Sequence, residues 1–123
     1  MWTAVIQMQS TGNLAANCER AHRLIQAAAG RGARLIALPE YFTGLGPPAD
    51  IAAQAQALDG PLVREFQDQA RQLAIYVLLG TIPELTAEKT KVYNTALLLG
   101  PAGEIVGCYR KMHLFDIDIP GRI

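Results

Sequence analysis

Two residues in this chain could place a carboxylate and an amine on one substrate: Glu40 and Lys111. Glu40 follows residues 34–38, a short apolar run of the kind a strand buried on both faces shows. Leu38 precedes a proline and is biased toward extended structure, while Pro39 cannot continue the ladder of a central strand. Glu40 is therefore expected at the carboxyl end of a buried strand, the edge where open α/β sheets build their sites. Flanked by Tyr41 and Phe42, its carboxylate is expected to be partly desolvated, with a pKa raised toward the range useful to a general base. Taken alone, it also reads as a surface glutamate in a loop.

Lys111 lies in Tyr109-Arg110-Lys111-Met112-His113-Leu114, near the end of the last predicted strand. Regular alternation puts it on one face with Tyr109 and His113, opposite Arg110 and Met112. An ammonium there can donate hydrogen bonds to a negative oxygen developing on a substrate carbonyl. Losing one such donor costs on the order of 3 kcal/mol of transition-state stabilisation. Alone, Lys111 also reads as a solvated lysine on a sheet edge.

The remaining reactive side chains have plainer explanations. Cys18 falls on the apolar stripe of the first predicted helix, where a small buried thiol packs. Cys108 precedes Lys111 by three residues, so alternation puts it on the opposite face, as a packing residue. His113 is expected to orient its neighbours rather than act as a base. With only His22 elsewhere, no Cys/His pair or metal site can be built. Asp116 and Asp118 are too few for a cation site. Gly44-Leu45-Gly46 lacks the spacing of a phosphate-binding loop. Ser10-Thr11-Gly12-Asn13 has no glycine-rich cradle after the first strand, which disfavours a flavodoxin-like nucleotide binder.

The elements that must position Glu40 and Lys111 follow from periodicity. Trp2, Ala4, Ile6 and Met8 alternate with more polar neighbours, a strand. Thr11-Gly12-Asn13 breaks it and supplies a helix cap. Leu14, Cys18, Ala21, Ile25 and Ala28 then repeat at helical spacing, and Gly30 and Gly32 end that helix. After the strand at 34–38 and a Gly/Pro-rich loop, Asp50 is expected to cap a short alanine-rich helix reaching Leu58. Asp59-Gly60-Pro61 starts another helix, with Leu62, Phe66, Ala70 and Leu73 as its buried stripe. Residues 75–82 read as an apolar strand, and residues 83–91 as a polar, exposed connection. Residues 92–99 and 104–114 flank Gly100-Pro101-Ala102-Gly103 and read as a hairpin. The order is β-α-β-(α)-α-β-β-β: an α/β fold with a parallel start and antiparallel additions.

Composition excludes several classes. The chain has 123 residues, room for one ordinary domain. Eleven Lys and Arg balance eleven Asp and Glu, so the clustered basic excess of a nucleic-acid binder is missing. No apolar run approaches the ~18–20 residues that span a bilayer, and the start lacks the basic n-region of a signal peptide. Two cysteines make no disulfide framework, and a reducing, cytoplasmic setting is expected. Residues 115–123 hold Asp116, Asp118, Pro120 and Gly121, with no strand or helix after them. A domain seldom finishes in a loop just after an apolar strand, so residues 1–123 are expected to be a partial domain.

Several segments resemble the nitrilase superfamily of carbon–nitrogen hydrolases. Ala37-Leu38-Pro39-Glu40-Tyr41-Phe42 is similar to that family's catalytic-glutamate segment, and Tyr109-Arg110-Lys111-Met112-His113-Leu114 to its catalytic-lysine segment. Gly80-Thr81-Ile82-Pro83-Glu84 and Val92-Tyr93-Asn94-Thr95 look like its intervening strand and hairpin. Phe115-Asp116-Ile117-Asp118-Ile119-Pro120-Gly121 resembles the omega-amidase and Nit-like branch. The resemblance implies the N-terminal part of a four-layer α-β-β-α sandwich, with one sheet, its helices and part of a second sheet. It implies Glu40 as general base and Lys111 as the oxyanion-stabilising, proton-handling residue, with no metal or organic cofactor. A cysteine thiolate would attack the amide carbon, and in the family that cysteine and a supporting glutamate lie downstream of the lysine segment, so the isolated chain is expected to be inactive. The implied partner is a small-molecule amide, an omega-amide of a dicarboxylate, with homo-oligomers formed by the complete enzyme. The competing reading is a short non-catalytic binding or assembly subunit that pairs through its sheet.

Overall fold

Asparagine at a helix start supplies an oxygen for a backbone N–H that the helix itself leaves unpaired. In the computed structural model, which describes residues 1–88 and 91–112, Asn13 does this for α1 (Leu14–Gly30). Its Oδ1 accepts from the Ala16 N–H at 3.0 Å. The chain leaves α1 through Arg31 and Gly32, and Gly32 takes φ +96°, a conformation that favours glycine.

On either side of α1 in the chain, β1 (Trp2–Val5) and β2 (Ala33–Ala37) pair in parallel, and β2 pairs in parallel with β3 (Tyr76–Leu85). The β2–β3 connection holds α2 (Pro48–Ala53) and α3 (Pro61–Leu73). The hairpin strands β4 (Val92–Leu99) and β5 (Ile105–Arg110) add antiparallel onto β3, in the spatial order β1-β2-β3-β4-β5. The parallel start and antiparallel additions match the sequence pattern. The expected share of a second sheet does not: among the described residues all five strands form one sheet, because β4 takes the open edge of β3.

Helices cover one face of that sheet. Cys18, Ala21 and Ile25 of α1 and Leu62, Val63, Phe66 and Ala70 of α3 meet the inward residues Ile36, Val77, Leu79, Leu97 and Leu99. Phe66 sits at the centre, stacked on His22 at 4.0 Å and meeting the Phe42 ring edge-on at 5.4 Å. Burying such a ring contributes about 1.5–3 kcal/mol. The opposite face exposes Val5, Tyr76 and Tyr109. Residues 34–38 are therefore not buried on both faces; Arg34 is exposed while Leu35 and Ala37 are half-buried.

Two local expectations change. The short helix is not capped by Asp50 and does not reach Leu58: α2 begins at Pro48 with no side-chain cap, holds Asp50 in its first turn and ends at Ala53. Proline's fixed φ and missing N–H start a helix without a capping side chain. Residues 83–91 are not uniformly an exposed connection, because β3 runs on to Leu85. The Gln56 backbone docks on that end, donating to the Pro83 carbonyl at 2.8 Å and accepting from the Leu85 N–H at 2.9 Å, and Glu84 is buried. Among the described residues no helix is long and apolar enough to cross a membrane.

Candidate active site

Pro39 ends the β2 ladder after the Leu38 N–H has donated to the Leu78 carbonyl at 2.9 Å. The chain then turns sharply, with Tyr41 at φ +47°, a conformation uncommon for a residue with a side chain. Two contacts from β3 hold that turn. The Tyr41 N–H donates to Thr81 Oγ1 at 2.9 Å, and the Thr81 N–H reaches the Pro39 carbonyl at 3.4 Å. Phe42 drops fully into the core, which anchors the far side of the turn. Glu40 is left at the tip, beside a cleft of about 290 Å³ whose walls include Met8, Ser10, Tyr41 and Leu45.

Lys111 reaches the same place from the other end of the chain. Its backbone N–H donates to the Asn94 carbonyl at 2.9 Å, continuing the β4–β5 ladder one residue past Arg110. Its Nζ lies 3.2 Å from Glu40 Oε1. The Asn94 side chain completes the group, donating from Nδ2 to the same Oε1 at 2.7 Å. The two residues singled out by sequence thus touch, although 71 positions separate them.

The expected rise in the Glu40 pKa is corrected. Hydrogen bonds from Asn94 and then Lys111 stabilise the carboxylate and hold its pKa below the ordinary glutamate value, outweighing the opposing effect of burial. The desolvation expected from Tyr41 and Phe42 is weak because Phe42 points into the core and the Glu40 side chain is 56% exposed. Burial and the Glu40 charge push the Tyr41 phenol up, so it stays neutral. Glu40 is ionised at neutral pH and can accept a proton. An exposed ion pair of this kind contributes only about 0–1 kcal/mol to stability, so stability alone gives little reason for the Glu40–Lys111 contact.

Behind Lys111, on the helix-covered face, a second ion pair sets the strand. Arg110 forks onto Glu84, Nε to Oε1 at 2.7 Å and a terminal nitrogen to Oε2 at 2.6 Å. Thr95 Oγ1 donates to Glu84 Oε1 at 2.8 Å, and the guanidinium lies 4.8 Å from the centre of the Tyr93 ring. The Arg110 hydrogen bonds are the main cause of a lowered Glu84 pKa. A carboxylate whose folded pKa is depressed adds stability above its unfolded pKa, about 4.3, and loses it as pH falls through the folded value. Glu84→Gln is accordingly expected to lower the urea midpoint of this chain at pH 7. The gap from wild type should close as the pH drops below about 4.3, where the unfolded glutamate protonates. A gap that stays constant down to full protonation would show that Glu84 does not act through its charge.

Neither thiol joins Glu40 and Lys111. Cys18 is buried in α1, where desolvation pushes its pKa up to about 11. Cys108 is exposed, and it pairs with Leu97 on the helix-covered face, away from Lys111. Among the described residues no group of three or more His, Cys, Asp or Glu could hold a metal ion. His113, Asp116, Asp118 and the omega-amidase-like stretch 115–121 lie outside the described residues. Sequence reasoning passed over Asn94, Thr81, Glu84 and Arg110 as site residues. Alternation from Lys111 already set Arg110 on the opposite face, but its partner 26 positions away left no local signal.

Residues 3–123 match the family model described as carbon–nitrogen hydrolase. The chain is 38% identical over 120 residues to the omega-amidase NIT2 of Homo sapiens, covering 98% of this chain and 43% of that protein. It is 37% identical over 118 residues to the deaminated glutathione amidase of Synechocystis sp. strain PCC 6803, covering 95% and 43%. The chain thus spans less than half the length of these relatives. Among solved structures, the C. elegans NitFhit protein superposes with a TM-score of 0.87 at 29% identity, over 98% of this chain and 30% of that one. An amidase from Nesterenkonia sp. shares the fold, with a TM-score of 0.78 at 24% identity. Matched from residue 3 to residue 123, the chain belongs to the carbon–nitrogen hydrolase family.

Proposed function

We propose that this chain is the glutamate- and lysine-bearing part of an amidase that hydrolyses small linear amides, omega-amides of dicarboxylates such as alpha-ketoglutaramate. The observation that carries the reading is the 3.2 Å contact between Lys111 Nζ and Glu40 Oε1 beside an open cleft. Glu40, ionised and within reach of solvent, takes the proton of a cysteine thiol as general base. The thiolate attacks the amide carbon, and the Lys111 ammonium donates to the oxygen that becomes negative. Glu40 passes that proton to the amide nitrogen as the C–N bond breaks and ammonia leaves. It then takes a proton from the water that attacks the thioester carbon, and returns it to the thiolate as the C–S bond breaks and the acid is released. The thiol is neither Cys18 nor Cys108, for the positional reasons above; it belongs to the portion of the relatives' length that these residues do not span. The omega-amide preference rests on the similarity to omega-amidase NIT2. A purely structural subunit would leave the Glu40–Lys111 pair without a use. The free thiols suit a reducing compartment, and we place the reaction in the cytoplasm, in a homo-oligomer of the complete enzyme.

The test compares substrates. The full gene product is expected to release ammonia from alpha-ketoglutaramate faster than from nitriles or N-carbamoyl amino acids. The 123-residue chain alone is expected to release none, with or without Cys108→Ala. Preference for a nitrile or a carbamoyl amino acid would overturn the substrate reading. Sustained ammonia release by the chain alone, abolished by Cys108→Ala, would overturn the placement of the nucleophile.

A further inference from the structure

Asn94 touches both Glu40 and Lys111, through different atoms. Its backbone carbonyl takes the Lys111 N–H at 2.9 Å, and its Nδ2 donates to Glu40 Oε1 at 2.7 Å. It projects from β4, flanked by β3 and β5, opposite Pro83 in the β3–β4 register. The Asn94 side chain is almost fully buried while Glu40 is more than half exposed, so the asparagine is the fixed member of the pair. The orientation of its amide follows from chemistry, since a carboxylate can only accept and the NH₂ end must face it. Asn94 Oδ1 is buried and has no donor among the described residues. An unpaired buried polar atom costs about 1–3 kcal/mol, a cost that an apolar residue chosen for packing would avoid.

We propose that Asn94 is the positioning residue of the site: it clamps Glu40 through Oε1, couples that clamp to the Lys111 backbone, and leaves Glu40 Oε2 as the oxygen that accepts the proton. The inference rests on the amidase reading for its kinetic consequences but not for the clamp itself. Both donors to Glu40 converge on Oε1, and Oε2 has no donor among the described residues. One oxygen therefore fixes the carboxylate while the other stays free to receive a proton. Among the described residues, the charged and titratable groups facing Glu40 are the Lys111 ammonium after β5 and the Tyr41 phenol on its own turn.

Two measurements test the inference. In the isotopically labelled chain, the Asn94 side-chain amide protons are expected to shift with the same midpoint as the Glu40 carboxyl carbon during an acid titration. In the full gene product, Asn94→Ala is expected to lower kcat by about 10-fold or more, the consequence of losing one hydrogen bond to a charged group, with KM little changed. The acid limb of its kcat/KM profile should move to higher pH, because Glu40 loses the donor that most favours its ionised form. Asn94→Asp, which sets a second carboxylate against Glu40, should move that limb further the same way. Asn94 amide protons that ignore the Glu40 titration would overturn the clamp, whatever bond the enzyme hydrolyses. Amide protons that follow it, with a variant that melts like wild type and keeps its kcat and acid limb, would overturn the positioning role. If alpha-ketoglutaramate is not turned over, the same profile is recorded on whichever amide or nitrile is, so the substrate reading can fail separately.

Discussion

Turnover by the full gene product is expected to fall by about 10²–10⁴-fold in Glu40→Gln, the range of a lost general base, and by about 10²–10³-fold in Lys111→Met, the range of a lost oxyanion donor. Glutamine keeps the shape of the side chain and an oxygen for Asn94, so the first change removes the charge and little else. Methionine keeps the length of Lys111 and removes its ammonium. Because the two groups meet at 3.2 Å and the proposed mechanism has them serve one substrate, their losses should not multiply. The double variant is expected to be only slightly slower than the worse single one. The folded state should be almost unaffected, since the exposed pair contributes about 0–1 kcal/mol. Steady-state kinetics beside thermal melts check both halves of this expectation. Either single variant retaining activity within a few-fold of wild type would remove that residue from the chemistry.

The second large effect concerns the backbone that holds Glu40 in place. A Cβ at Gly80 would sit 1.8 Å from the Leu38 carbonyl oxygen and 2.5 Å from that of Pro39. Real carbon atoms do not approach oxygen so closely, and both obstacles are backbone, so no rotamer change relieves them. Gly80 also lies where the β3–β4 register shifts, between Leu79 and Ile82, and it leads into Thr81, which receives the Tyr41 N–H. Alanine there must push β3 away from the β2 end or break the turn after Pro39. Gly80→Ala is therefore expected to destabilise the chain by about 3 kcal/mol or more, the upper part of the range for overpacking. Urea unfolding measures it. Thr81→Val, which removes only the acceptor for one half-buried N–H, should cost about 0.5–1.5 kcal/mol, the net worth of one hydrogen bond. A Gly80→Ala midpoint equal to wild type would mean that the close backbone approach is not real.

Most elements were legible in the residues themselves because their signals are local. A period of two marked β1, short apolar runs marked β2 and β3, helical spacing of apolar residues marked α1 and α3, and Asn13 announced a cap that reaches only three positions ahead. The Gly100-Pro101-Ala102-Gly103 turn declared the hairpin, and Gly103 takes φ +83° at its end. Glu40 and Lys111 could be singled out as well, one behind a proline that stops a strand and one near a hairpin's exit. Their family resemblance drew the two together before any distance was known.

Direction and partnership were a different matter. The Glu40 pKa moved opposite to expectation because its donors lie 54 and 71 positions away, and flanking aromatics say nothing about which way their rings point. Glu84 looked like part of a polar connection until the Gln56 backbone and the Arg110 fork closed over it. Asn94 lay in a hairpin segment of family-like sequence but carried no sign of a role in the site, since an asparagine on a strand is unremarkable until a carboxylate arrives in front of it. The chain's own order of residues determined where helices, strands and turns form and which groups could do chemistry, because those depend on near neighbours. Only the folded sheet decided which groups meet, which carboxylate stays ionised and which glycine has no room for a methyl. Hydrogen bonds, charges and steric contacts act through space over a few ångströms, whatever the distance along the chain.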